Sequence, residues 1–99
     1  MSEDRRKDER VSLNLPARWD GLSGDHEARL EDLSLGGCFI NTGGMVDVGE
    51  LVIVEFRLPS GEWLRLRGEV TSQQPGIGFG LLFTSLTAED EYALRSLII

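Results

Sequence analysis

From Val11 onward the chain places Val11, Leu13 and Leu15 at every second position, with Ser12 and Asn14 between them. This is the period of a strand with one buried face, and Pro16 then belongs at an edge or a bulge. "GLSGD" reads as a turn, and "HEARLEDL" alternates again, with Ala28 and Leu30 on one face and Asp32 continuing the series. "CFINT" is a short strand, "GGMVDVGE" a loop, and "LVIVEFRLP" a strand rich in β-branched and aromatic residues. After the turn "SGEW", the stretch "WLRLRGEVTSQQ" sets Trp63, Arg65 and Arg67 against Leu64 and Leu66. "PG" interrupts it, and "IGFGLLF" is one more strand.

The end of the chain changes period. In "TAEDEYALRSLII", Thr87 and Asp90 have the spacing of a capping box, acids crowd the first turn, and Leu94, Leu97 and Ile98 share a helical face. The fold class is therefore all-β with one C-terminal helix. Six short antiparallel strands in so small a chain close most economically as a barrel, since closure removes exposed edges, and the helix over residues 87–98 can cover an open end. Residues 1–10, with eight charged side chains and no apolar residue beyond Met1, form an arginine-rich arm expected to be flexible, and residues 11–99 form the folded domain.

With 99 residues, 40% of them hydrophobic, the chain fits one core and no separate catalytic domain. No stretch is apolar enough to span a bilayer, and "MSEDRRKDER" is neither a signal peptide nor an anchor, so a cytoplasmic location without membrane insertion is expected. Cys38 is the single cysteine and His26 the single histidine, which excludes an internal disulfide and leaves no metal-ligand spacing and no Cys/His dyad. Cys38 reads as a small buried hydrophobe and His26, in "GDHE", as a solvated loop residue. Carboxylates are frequent, but none accompanies a nucleophile, a metal site or a cofactor loop, so an enzyme is disfavoured and no cofactor is expected.

A net charge of -7 opposes binding to a nucleic acid polymer. Yet of ten positive side chains only Lys7 is a lysine, and Arg5, Arg6, Lys7 and Arg10 fall within six positions. Arginine's planar fork suits phosphates and purine edges. An acidic chain with one local arginine cluster favours a single small anionic ligand over a long polyanion.

The stretch "EDLSLGGCFI" adds an acid, a serine and two glycines. On a strand, Asp32 and Ser34 would point to one face, while Gly36 and Gly37 would turn the backbone sharply at positive φ. Such a turn either receives a ligand or is ordinary hairpin chemistry stabilised by Asp and Ser.

Taken in order, "RRKDER" carries RxxxR at Arg6 and Arg10 with a further Arg5, "DLSLGG" carries DxSxxG at Asp32, Ser34 and Gly37, and "GFGLLF" follows with Gly78, Gly80, Leu81 and Phe83. Over essentially its whole length the chain resembles the PilZ domain, the bacterial receptor module for cyclic di-GMP. The resemblance implies a PilZ-type six-stranded barrel that binds cyclic di-GMP through Arg5, Arg6, Arg10, Asp32, Ser34, Gly36 and Gly37 and passes the signal to an unidentified downstream protein through its arm. The chemistry agrees: arginine matches guanine O6 and N7, Asp32 can accept from guanine N1 and N2, and Ser34 can donate or accept nearby. Asp8 and Glu9 depart from the simplest motif, since they can pair with its arginines. The alternative is a PilZ-like adaptor that docks on a partner without nucleotide. Trp63 reads as a half-buried barrel residue or a base-stacking surface, Trp19 as core, and Gly78 and Gly80 as barrel-corner glycines.

Overall fold

The first hairpin sets the frame. Gly21 and Gly24 pair across the tip residues Leu22 and Ser23, and from there β1 (Val11–Gly21) and β2 (Gly24–Leu33) run antiparallel back to the pair Val11 and Leu33. Gly24 adopts φ of 106°, which glycine reaches without steric cost. The computed structural model describes residues 9–98. In it β3 (Gly37–Asn41), β4 (Leu51–Arg57), β5 (Trp63–Gln74) and β6 (Gly78–Thr84) complete a closed antiparallel barrel in the order β1-β2-β3-β6-β5-β4, with β4 returning to pair with β1. The β4 ladder on β1 begins only at Ala17, so Pro16 pairs on one side alone, with Arg29, and its missing N–H breaks no ladder.

The inward positions form one core. Trp19, Leu30, Ile40, Phe56 and Phe79 are buried to 2% exposure or less, and each such side chain contributes roughly 1.5–3 kcal/mol by leaving water. Trp19 meets Phe79 edge-on, 5.1 Å between ring centroids. Its indole N–H donates to Thr42 Oγ1 at 3.1 Å, so the ring's polar atom is satisfied. His26 is not a loop residue. The hairpin tip is so short that β2 starts at Gly24, which makes His26 the direct partner of Trp19, its ring stacked at 4.3 Å.

Three strands carry a one-residue irregularity: β1 between Ser12 and Leu15, β2 between Leu30 and Asp32, and β5 between Val70 and Ser72. Each is a bulge, two residues opposing one. At the first, Arg29 donates from Nε to Asn14 Oδ1 at 2.8 Å and from Nη2 to the Asn14 carbonyl at 3.2 Å, binding polar groups that the irregular ladder leaves free.

The helix α1 (Ala88–Ile98) starts on the expected cap. The Asp90 N–H donates to Thr87 Oγ1 and the Thr87 N–H donates to Asp90 Oδ2, both at 3.0 Å, a reciprocal capping box. Leu94 is fully buried in the barrel's core cluster, with Leu97 and Ile98 packed against it. Thr87→Ala should therefore lower unfolding free energy by about 1 kcal/mol in urea titrations. Tyr92→Ala, on the exposed side of α1, should stay within about 0.5 kcal/mol of the parent. Equal losses would show that the box does not anchor the helix.

Candidate ligand-binding face

The bulge in β2 decides where Asp32 points. Leu30 opposes Ile40 and Asp32 opposes Phe39, so Glu31 is the extra residue and the alternation resets across it. Leu33 goes into the core in its place, and Asp32 emerges half-exposed on the outer face. The expectation that Asp32 continues the inward series of Ala28 and Leu30 fails for this reason.

Ser34 does not share that face. β2 ends at Leu33, and Ser34 is buried in the β2–β3 turn, where its Oγ accepts the N–H groups of Gly36 and Gly37, both at 3.2 Å, and donates to the Gly37 carbonyl at 3.3 Å. One donor and two acceptor sites are all that a hydroxyl has. Ser34 therefore shapes the turn, and the strand geometry that would have aligned it with Asp32 has already ended.

The two glycines differ. Neither adopts positive φ, contrary to the turn geometry expected of them. Gly37 is required by packing, since a Cβ there would run into the Leu81 carbonyl oxygen of β6. At Gly36 a Cβ would meet only Ser34 Oγ, at 4.0 Å, so its surface is open. Gly78 and Gly80 are not corners but members of the β6 ladder: a Cβ on Gly78 would strike the Ile40 carbonyl, and one on Gly80 would lie 2.7 Å from Ser72 Oγ.

Arg10 reaches this face. Its Nη1 lies 3.4 Å from Asp32 Oδ2, with both side chains solvent-accessible, a geometry worth about 0–1 kcal/mol and readily exchanged for other partners. Arg5 and Arg6 lie outside the described residues. Across the strands from Asp32 runs a row of Cα partners: Ser12, Asp32, Phe39, Gly80 and Ser72. Phe39 sits between the inward Cys38 and Ile40 and is absent from the core cluster. A Cβ on Gly78 would fall 2.8 Å from its ring, so the ring lies across bare backbone. The row joins a carboxylate, two hydroxyls, an aromatic ring and a glycine, which is an arrangement able to hold a flat heterocycle by one polar edge. Phe39 was legible in the alternation of "CFI", whereas Gly80 joins the row through the regular β3–β6 ladder and Ser72 only through the bulge at Thr71.

Cys38 lies beneath this face. Burial pushes its thiol far above the ordinary range, with Arg10 lowering it and Asp32 raising it as lesser influences. The thiol stays protonated and unreactive. Trp63 is 40% exposed, and the Arg18 guanidinium stands 4.3 Å over its ring while bonding Glu55 at 2.7 Å, so that ring face is already occupied. Among the described residues no cluster of His, Cys, Asp and Glu could hold a metal ion, and no helix is long and apolar enough to cross a membrane.

A family model for the PilZ domain matches residues 4–99. The chain belongs to the PilZ domain family. No curated protein matches the sequence at a significant level. Solved structures do match in fold. The PilZ domain of CeSA from a cellulose-synthesizing bacterium is 22% identical with a TM-score of 0.69, over 90% of this chain and 93% of that one. The PilZ domain of Escherichia coli YcgR, solved with c-di-GMP, is 15% identical with a TM-score of 0.75, over 90% and 85%. The Bacillus subtilis inhibitor of motility MotI/DgrA is 17% identical with a TM-score of 0.76, and this chain spans 47% of its length.

The two glycines of the PilZ turn give a sharp test. Gly37→Ala should destabilise by about 3 kcal/mol or more, through backbone displacement at Leu81, whereas Gly36→Ala should stay within about 0.5 kcal/mol, as at an open surface position. Urea titration of the two variants measures both. In the native protein Cys38 should resist alkylation at mildly alkaline pH and react fully once unfolded; fast native labelling would contradict its burial.

Proposed function

We propose that the protein is a cyclic di-GMP receptor domain that signals to a partner by ordering residues 1–10 against the barrel. The observation that carries this reading is Arg10 beside Asp32 on the outer face, where a cation from the arginine cluster meets an acceptor held by the barrel. Cyclic di-GMP offers two phosphates and two guanines. Asp32 accepts from guanine N1 and N2, while Arg10, leaving its weak contact with Asp32, turns to a phosphate or to the guanine O6/N7 edge with Arg5 and Arg6. Phe39 supplies an apolar surface for the base, Gly36 leaves room for approach, and Ser34 and Gly37 hold the turn that follows Asp32. The presence of c-di-GMP on the same fold in Escherichia coli YcgR and in Borreliella burgdorferi PlzA supports the choice of ligand.

The output follows from composition. Residues 1–10 carry eight charges and can bury almost nothing by themselves. A ligand bridging them to Asp32 supplies charge-assisted bonds that offset the entropy of ordering, and the partner meets a new surface without movement of the core.

Calorimetric titration should show cyclic di-GMP binding selectively over GTP, and Arg10→Ala and Asp32→Ala should each weaken it by about 1–3 kcal/mol, the scale of a charge-assisted or bidentate contact. No heat with cyclic di-GMP, from a protein shown to be folded, leaves the adaptor reading. Binding that survives both substitutions unchanged would place the ligand elsewhere. With ligand bound, amide exchange should slow at residues 5–12 and 32–38 and change little at Leu51 to Phe56; an arm that exchanges equally with and without ligand would refute the clamp.

A further inference from the structure

At the pole of the barrel opposite the Ser34 turn, four aliphatic side chains project into solvent from two separate segments: Leu22 at 87% exposure in the β1–β2 hairpin, and Met45 at 76%, Val48 at 59% and Leu51 at 72% in the stretch that enters β4. The segments are tied to one another. Glu50 accepts the Leu22 N–H at 2.8 Å through Oε2 and the Asp47 N–H at 3.0 Å through Oε1, and Ser23 Oγ donates to the Met45 carbonyl at 3.0 Å. The Gly49 N–H donates to Val70 and the Val70 N–H to Glu50, which fixes this end of the loop to β5. The surface is thus preformed. Local geometry needs none of the four side chains: Leu22 occupies a hairpin tip whose positive φ is taken by Gly24, and Val48 precedes Gly49, which takes φ of 95°.

The rim of this patch is mainly acidic, with Arg67 near Leu51 as a basic neighbour. Asp25 follows the hairpin tip, Asp47 and Glu50 bracket Val48, and Glu69 stands opposite Leu51 on β5. None of the ion pairs among the described residues engages these four carboxylates. A hydrogen-bonded cluster of exposed aliphatic residues, beside acids that make no ion pair among the described residues, fits a docking surface, and the sign of the rim selects the occupant. A second copy of the chain would set acid against acid, and an anionic lipid surface or nucleic acid would be repelled.

We propose that the pole formed by Leu22, Met45, Val48 and Leu51 docks a basic amphipathic segment of a partner protein, with apolar side chains on the patch and Lys or Arg on the rim. The surface lies apart from the face of Arg10 and Asp32, and its binding stands whether or not cyclic di-GMP is the ligand there.

The test uses a blocked leucine/lysine peptide, roughly 18 residues long so that it can form a helix in water, and its leucine/glutamate counterpart with the same apolar face. Fluorescence anisotropy with the full chain should show binding of the lysine peptide alone, weakened by salt. The double variant Leu22→Ser/Val48→Ser, altered only at exposed tips and checked for folding by circular dichroism, should lose about tenfold or more in affinity, as expected for removal of anchor residues. Arg10→Ala should bind the peptide like the parent. Three results would overturn the proposal: affinity for the lysine peptide unchanged in the double variant, equal binding of the glutamate peptide, or sedimentation showing a homodimer that the double variant abolishes.

Discussion

Closing six strands into a ring makes each strand tilt and slip against its neighbours, and this chain absorbs part of the slip in single-residue bulges at β1, β2 and β5. A bulge resets the side-chain alternation beyond it. The bulge at Glu31 turns Asp32 outward and Leu33 inward with one inserted residue, and the bulge at Thr71 brings Ser72 over Gly80. The candidate face is in this sense a by-product of closure. Its carboxylate, ring and hydroxyls are held by the ladder of a closed barrel rather than by a loop.

Much of this was legible in the sequence. The strands announced themselves by their two-residue period, and the helix by Thr87, Asp90 and the Leu94, Leu97, Ile98 face, because these signals are local and periodic. What failed was non-local. Nothing in "HEARLEDL" states that Leu30 and Asp32 will oppose adjacent residues of β3, so Asp32 was expected on the wrong face. His26 was expected in a loop because the true hairpin tip is only Leu22 and Ser23, and its stack on Trp19 exists only through pairing. Gly37 was read through turn conformation, whereas its real constraint is the approach of Leu81 from a strand more than forty positions away. The chemistry of Ser34 depends on where β2 stops, and strand ends are poorly encoded in pattern alone.

The two ends of the barrel have opposite characters. At one end Arg10 approaches the Asp32 carboxylate beside a glycine turn, which suits a small anion bearing donor-rich bases. At the other, aliphatic tips within an acidic rim suit a basic protein segment. Ligand and partner would then act on separate surfaces joined by a stiff body. A change in one surface can alter a complex without distorting the barrel.

The most direct test of this geometry is amide chemical-shift mapping by NMR during titration of the full chain with cyclic di-GMP. The account predicts that the largest shifts run across strands along Ser12, Asp32, Phe39, Gly80 and Ser72, with Gly36 and Arg10, while Leu22, Val48 and Val54 stay put. Shifts centred instead on Arg18, Glu55 and Trp63, with the Phe39 row unmoved, would contradict it.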